Sequence, residues 1–180
     1  MTSVGREGVD YYNKLGYIPN DVGVNENTAR TLEYAYDDFT IWQLARELKK
    51  SKATQKLFKQ RALNYVHVFD QSTNFMRAKN EDGSWQSPFV PEAWGGAFTE
   101  GSSWHYTWSV FQDPKGLINL MGGREDFIGK LDSVFTMEPI FDFTYYGFEI
   151  HEITEMVMAD MGQYAHGNQP IQHAIYLYDY

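Results

Sequence analysis

The chain has 180 residues, a formal net charge of −9 at pH 7, no cysteine and an aromatic content of 17%. The acidic balance argues against nucleic acid and anionic membrane surfaces as partners, because both bind a cationic patch, and the lack of cysteine excludes disulfides and thiol catalysis. No apolar run approaches the roughly 20 residues that cross a bilayer, and the first residues contain no apolar run typical of a signal peptide.

The first half of the sequence predicts two helices followed by a long loop. Apolar residues recur at helical spacing over 28–48, which predicts one amphipathic helix. Ser51 is a suitable N-cap for a second helix, whose apolar stripe continues over 57–69. Residues 70–101 are rich in glycine, proline and polar side chains, and they are too many for an ordinary connection. Such ordered loops often carry function.

Helical spacing also dominates the second half. Asp113 followed by Pro114 is typical of a helix start, with proline at the first helical position. Strand alternation is weak throughout, so the sequence predicts an all-α fold of paired helices with its chemistry on the loops. The predicted helices span 102–111, 113–121, 124–135, 149–161 and 170–180, with an irregular aromatic stretch over 135–147.

A candidate general acid, Glu100, lies at the end of the long loop. Trp104 and other aromatic residues follow within two helical turns. Aromatic surroundings would remove water from the carboxyl group and raise its pKa, as a glycosidase acid requires near neutral pH. Trp104 is predicted to bind substrate, since sugar C–H faces stack on aromatic rings. The alternatives are a helix-terminal acid for Glu100 and core packing for Trp104.

A second candidate group is the adjacent pair His151 and Glu152, with Glu155 one turn further along. His151 and Glu155 share a helix face and could bind a metal, but the zinc-protease pattern needs two histidines at that spacing. His151 and Glu152 could instead form hydrogen bonds with sugar hydroxyls. A solvated helix face is the third interpretation.

A polar turn over 166–169 precedes the last predicted helix. Its carbonyl and amide oxygens, including those of Asn168 and Gln169, are ligands that a hard cation such as Ca²⁺ prefers. Zinc is a second, less suitable metal, since the segment also contains two histidines, His166 and His173. The remaining alternative is that Asn168 simply caps the helix that follows, with Pro170 close behind it.

Five motifs, taken together and in order, resemble one family closely: the calcium-dependent exo-α-mannosidases of glycoside hydrolase family 92. The similarity runs over essentially the whole chain. The motifs are TARTLEYAYDDF at 28–39, FDQSTNFMRAKNEDGSW at 69–85, FTEGSSWHYTW at 98–108, LINLMGGREDFIGKLD at 117–132 and QYAHGNQPIQHAIYLY at 163–178.

The resemblance implies a fold and a place in it. Members of the family have an N-terminal β-sandwich and a C-terminal (α/α)₆ toroid. Residues 1–180 resemble the middle of that toroid. We therefore expect a fragment of one catalytic domain, an incomplete (α/α)₆ toroid that lacks the β-sandwich and the C-terminal part. By the same resemblance, the parent enzyme is expected to be periplasmic or secreted, while nothing indicates an oligomeric state.

The resemblance also implies roles for particular residues. Glu100 falls on the position of the general acid in this inverting family, and His151 and Glu152 fall on the pair that contacts the leaving mannose in α-1,2-acting members. Asn168 and Gln169 fall in the region associated with the catalytic Ca²⁺, although many relatives have glutamate in place of Gln169. The family's general base is an aspartate in a Gly-Asn-Asp-Asp-type motif.

That motif is absent from this sequence, so the resemblance implies that the chain alone is inactive. Two other functions stay open at this point. A toroid fragment without its base could serve as a non-catalytic carbohydrate-binding remnant. Another (α/α)₆ glycosidase, such as a trehalase-like enzyme, would share the fold and a carboxylate pair. The expected partner in each case is a glycan, and a mannose-containing glycan in the first.

Overall fold

The structure is a computed structural model that describes residues 5–180, and it is mostly helical. The α-helices are α1 Val9–Leu15, α2 Asn27–Glu47, α3 Lys52–Arg61, α4 Ser103–Tyr106, α5 Pro114–Leu120, α6 Arg124–Thr136 and α7 His151–Met158. Short 3₁₀ helices span Asn64–Val68, Gln169–Ile171 and Ala174–Asp179, and the strands are β1 Phe69–Asp70 and β2 Phe75–Met76.

The two predicted N-terminal helices, α2 and α3, are confirmed, and they pack against each other. Ser51 caps α3, since its side chain accepts a hydrogen bond from the Thr54 backbone N–H at 3.1 Å. The predicted continuation of that helix to residue 69 is wrong. Tyr65 lies in a 3₁₀ helix, where its hydroxyl donates to Asp113 Oδ2 at 2.8 Å, and Phe69 belongs to β1. Long-range contacts therefore override the helical spacing.

The long loop begins with a two-stranded antiparallel hairpin, in which Phe69 pairs with Met76. Asp70 stabilises the hairpin, because its carboxylate accepts hydrogen bonds from the Ser72 backbone and from Arg77 Nη1, both at 2.9 Å. Beyond the hairpin the chain is irregular as far as α4. The Asp70 contacts thus hold the base of the loop.

The predicted helices of the second half have different outcomes. Helices α5 and α6 are confirmed, and Asp113 caps α5 by accepting a hydrogen bond from the Gly116 N–H at 3.0 Å. Helix α7 occupies the centre of the predicted 149–161 segment. The helix predicted over 102–111 is reduced to the single turn α4, and two 3₁₀ helices replace the α-helix predicted over 170–180.

Helix α1, which the sequence analysis did not assign, is attached to α2 through a buried carboxylate. Asp38 accepts hydrogen bonds from Tyr12 at 3.2 Å and from Arg6 at 2.6 Å. Burial raises the pKa of Tyr12 far above its usual range, so the phenol stays protonated and can donate. The main core is a separate and larger cluster that contains Trp94, Trp108 and Phe127.

In residues 5–180, no helix combines the length and the apolar character that crossing a membrane requires.

Candidate active site

Glu100 lies in a tight turn just before α4, where Ser102 is the helix N-cap. Its backbone φ of 47° is left-handed, which is unusual for a residue other than glycine. The aromatic side chains that follow it turn into the core, but Glu100 itself is exposed. The expectation that the aromatic residues bury its carboxyl group is therefore wrong. The left-handed backbone directs Glu100 away from them.

Three contacts hold the Glu100 turn. The Asn168 side-chain amide donates a hydrogen bond to the carbonyl oxygen of Glu100. The Gly95 N–H donates to the carbonyl of Gly101 at 2.9 Å. The Tyr146 hydroxyl lies beside the Glu100 backbone, and its partial burial there raises its pKa. A strained conformation persists only when its surroundings fix it, and these contacts do so.

The turn that contains Asn168 also packs against α7. A Cβ added to Gly167 would lie 2.6 Å from Glu155 Oε2 and 3.9 Å from Glu152 Cγ. Position 167 therefore lies against the side chains of Glu152 and Glu155 on α7. Glu100, the 166–168 turn and the first turn of α7 form one continuous group, so the structure brings together three segments that the sequence analysis proposed separately.

His151 and Glu152 are the first two residues of α7. His151 Nδ1 lies 3.0 Å from Glu152 Oε2, and the His151 side chain is 76% exposed, whereas that of Glu152 is mostly covered. The carboxylate can orient the imidazole, whose other nitrogen remains available to a ligand. This geometry suits a pair that forms hydrogen bonds with hydroxyl groups.

Asn168 does not have the capping role that the sequence allowed. It occupies the N-cap position of the 3₁₀ helix Gln169–Ile171, but its side chain makes no capping hydrogen bond and binds Glu100 instead. Asn168 is buried and Gln169 is exposed. The two residues thus have different environments, and only Asn168 is fixed to the Glu100 turn.

The chemistry of the 166–169 turn suits calcium only in part. Amide oxygens are suitable calcium ligands, but Ca²⁺ takes six to eight oxygen ligands. Asn168 and Gln169 supply only two side-chain oxygens between them. Within residues 5–180, no group of three or more histidine, aspartate or glutamate side chains is arranged to hold a metal. These residues alone therefore do not form a complete calcium site.

Trp104 is 6% exposed and packs in the core. Its Nε1 donates to Glu92 Oε1 at 3.3 Å, and Lys130 Nζ lies 4.3 Å from its ring centroid and 3.2 Å from that of Phe75. Burial lowers the pKa of Lys130 to about 8. The contacts favour the packing interpretation of Trp104, and its contact with substrate stays a prediction. No sequence signal had separated Lys130 from other helical lysines.

His105 joins the start of α4 to the segment before the 166–168 turn. Its Nδ1 accepts a hydrogen bond from the Ser102 N–H at 2.9 Å, so Nε2 carries the proton and donates to the Gln163 carbonyl at 3.1 Å. Burial lowers the pKa of His105 to about 4. The residue is therefore a neutral structural link. The Ser-x-x-His spacing of a capping box was a signal that could have identified it.

A cavity of about 420 Å³ adjoins the Glu100 loop. None of the six residues predicted for the site lines it, but Gly95, which binds Gly101, is part of its wall. The candidate site thus has two parts: the exposed Glu100 group and this neighbouring cavity. The cavity is lined by three segments, 20–27, 86–98 and 142–145, together with Ala78 and Ser103.

Comparison with known proteins identifies the family. The sequence model of the glycosyl hydrolase family 92 catalytic domain matches residues 1–180. The chain belongs to glycosyl hydrolase family 92. The resemblance carried by the five motifs is thereby confirmed, and the family model gives no support to a trehalase-like enzyme.

Solved family 92 structures from Bacteroides thetaiotaomicron are similar to this chain. An inverting mannosidase of strain VPI-5482 is 53% identical with a TM-score of 0.81, over 98% of this chain and 24% of its own. An α-mannosidase is 39% identical with a TM-score of 0.78, over 96% of this chain and 20% of its own. A complex of that α-mannosidase with mannoimidazole gives 37% identity and a TM-score of 0.80, over 96% of this chain and 22% of its own.

An uncharacterized secreted glycosidase from Arthroderma benhamiae is 29% identical in an alignment of length 158 that covers 71% of this chain and 20% of that protein. The chain therefore spans between a fifth and a quarter of the length of the proteins that it resembles.

Proposed function

We propose that these residues are part of an inverting exo-α-mannosidase that removes mannose from glycans, with Glu100 as its general acid. Membership of family 92 and the similarity to mannosidases support this proposal. The mannoimidazole complex of one of those enzymes supports a mannose-containing glycan as the ligand. We also propose that the helices form part of an (α/α)₆ toroid and that the parent protein is periplasmic or secreted, as the name of the Arthroderma benhamiae relative suggests.

The observation that carries the proposal is the conformation of Glu100. Its left-handed backbone is fixed by Asn168, and its side chain is exposed. Backbone strain of this kind costs about 1–3 kcal/mol and is concentrated at active sites. Glu26 also has a left-handed backbone, with a φ of 56°, but its carboxylate pairs with Arg30 at 3.3 Å. At Glu100 the contacts fix the backbone and leave the side chain exposed, and this geometry supports a carboxyl group that is presented to a ligand.

In the proposed reaction, Glu100 protonates the glycosidic oxygen while a second carboxylate activates water on the opposite face of the sugar. In inverting enzymes the two carboxyl groups are about 6.5–9.5 Å apart. The motif of the family's general base is absent from the 180 residues. We therefore propose that this chain supplies the acid half of the site and hydrolyses no mannoside by itself, so that turnover by the isolated chain would contradict the assignment.

The pair His151 and Glu152 is proposed to bind the leaving mannose and to favour α-1,2 linkages. Both begin α7, which packs against the turn that holds Glu100. Calcium is a further proposal, with Asn168 and Gln169 among its ligands and the remaining ligands from other residues. When bound, it would hold two sugar hydroxyls. No step attributed here to Glu100, His151 or Glu152 depends on it.

The decisive experiment is Glu100→Gln in a complete enzyme that carries these residues. Loss of a general acid lowers kcat by about 10²–10⁴ for substrates with poor leaving groups. Aryl mannosides with good leaving groups need less protonation and should lose less. Glu125→Gln is the matched control, because Glu125 is an exposed glutamate on α6. Equal losses on both substrates would show that Glu100 is not the acid.

A further inference from the structure

The cavity beside the Glu100 loop has the size and chemistry of a small-molecule site. Its volume of about 420 Å³ lies in the range of roughly 300–1,000 Å³ that is typical of ligand pockets. One sugar ring fits in such a space. Its wall includes the side-chain amides of Asn20, Asn25 and Gln86, and amide groups suit hydroxyl ligands because they both donate and accept hydrogen bonds. Asn27 also lines the cavity, but it is buried and its amide already bonds Asn20 and Val24.

Tyr145 forms an aromatic wall of the same cavity. It is 58% exposed, so much of the side chain is available to a ligand. One part of the ring lies directly on the backbone of Gly95, where a Cβ would overlap it. Gly95 also has a φ of 87°, so both the backbone angle and the ring require glycine. The close packing fixes the ring at the edge of the cavity.

The segment that carries Tyr145 is itself anchored. The Trp94 N–H donates to the Asp142 carbonyl at 2.8 Å, and the Asp142 N–H donates to the Glu92 carbonyl at 3.1 Å. The Asp142 carboxylate then accepts a hydrogen bond from the Thr144 N–H at 2.9 Å. Because the ring is already positioned, a ligand would lose little conformational entropy in ordering it, and preorganisation of this kind favours binding.

We infer that Tyr145 and the amides of Asn20, Asn25 and Gln86 form a binding site for one pyranose ring, with the sugar ring stacked on Tyr145. The site is additional to the contacts proposed for Glu100, His151 and Glu152, none of which lines the cavity. The choice of a mannose ring as the ligand rests on the proposed function. The aromatic wall and the amide lining are observations independent of it.

The test is titration of the purified protein with methyl α-D-mannoside, by calorimetry and by NMR of the sugar ring protons. Tyr145→Ala should weaken binding about five- to tenfold, as loss of an aromatic contact does, and should abolish the upfield shift of the ring protons. Tyr145→Phe keeps the ring and should keep both. Tyr176→Ala is the matched control, because Tyr176 is also an exposed tyrosine, at 70%, and does not line the cavity.

Gly95→Ala provides a second perturbation, since its Cβ displaces the Tyr145 ring without removing it, and it should weaken binding as Tyr145→Ala does. Equal affinity of wild type and Tyr145→Ala, or no binding by wild type, would overturn the inference. The proposed general acid is tested separately in a complete enzyme that carries these residues, where Glu100→Gln should lower hydrolysis about 10²- to 10⁴-fold but retain binding at Tyr145. Full hydrolysis by that variant would refute the acid assignment and leave the sugar site standing.

Discussion

Because His105 is neutral in the folded protein, the free energy of unfolding depends on pH. Burial holds its pKa at about 4, whereas an unfolded chain binds the proton at 6.5. Between pH 6.5 and pH 4 this histidine is protonated in the unfolded state but neutral in the folded state. The free energy of unfolding therefore falls as the pH drops from 6.5 toward 4. The loss is about 2 kcal/mol at pH 5 and about 3 kcal/mol below pH 4.

His105→Gln separates this effect from the other titrating groups. Glutamine at this position of a capping box still accepts the Ser102 N–H, but it does not titrate. The hydrogen bond to the buried Gln163 carbonyl is lost, which should cost about 1–3 kcal/mol at pH 7. Denaturant unfolding at pH 7, 6 and 5 measures the free energy of unfolding of wild type and variant, and the difference between them should shrink by about 2 kcal/mol between pH 7 and pH 5. Parallel losses, or an NMR titration of His105 near pH 6.5, would refute the reasoning.

Three further predictions concern linkage preference and stability. In a complete enzyme, His151→Ala or Glu152→Ala should lower kcat/KM for α-1,2-mannobiose about ten- to a hundredfold and leave an aryl mannoside nearly unaffected; parallel losses would indicate a folding defect. Because burial lowers the pKa of Lys130 to about 8, unfolding free energy should rise between pH 8 and 10.5 by an increment that Lys130→Met removes. Gly162→Ala should cost about 1–3 kcal/mol in denaturant unfolding, because its φ is 61° and a Cβ would lie 2.5 Å from a carbonyl oxygen of α6, whereas Gly23→Ala, with a similar φ but open space, should cost less.

The sequence predicted those elements whose determinants are local. Ser51 and Asp113 cap their helices through neighbouring N–H groups, and the spacing within α2 is continuous. Local information failed where distant contacts decide the conformation. Tyr65 continues the apolar stripe of α3 in the sequence, but its hydrogen bond to Asp113, 48 residues away, keeps it in a 3₁₀ helix. Helical spacing alone does not contain that information.

The candidate site shows the same limit. Its sequence motifs indicated Glu100, His151 and Asn168 as candidates, because the order and spacing of polar residues can be compared directly between sequences. The sequence did not predict the exposure of the Glu100 side chain, since this exposure depends on a left-handed backbone angle that few glutamates adopt. The hydrogen bond from Asn168 was equally hidden, because it joins residues 68 positions apart. Neighbouring letters do not determine such a contact.

The link between Glu100 and Asn168 has a consequence for the order in which the molecule folds. Residues that are distant along the chain meet slowly, because closing a long loop costs entropy before the contact repays it. The pair α2 and α3 is adjacent in sequence and can form early, whereas Glu100 meets Asn168 across 68 positions and His105 meets Gln163 across 58. We expect the segment 100–105 to become ordered only after residues 163–168 have been synthesised, which makes the proposed catalytic turn a late product of folding.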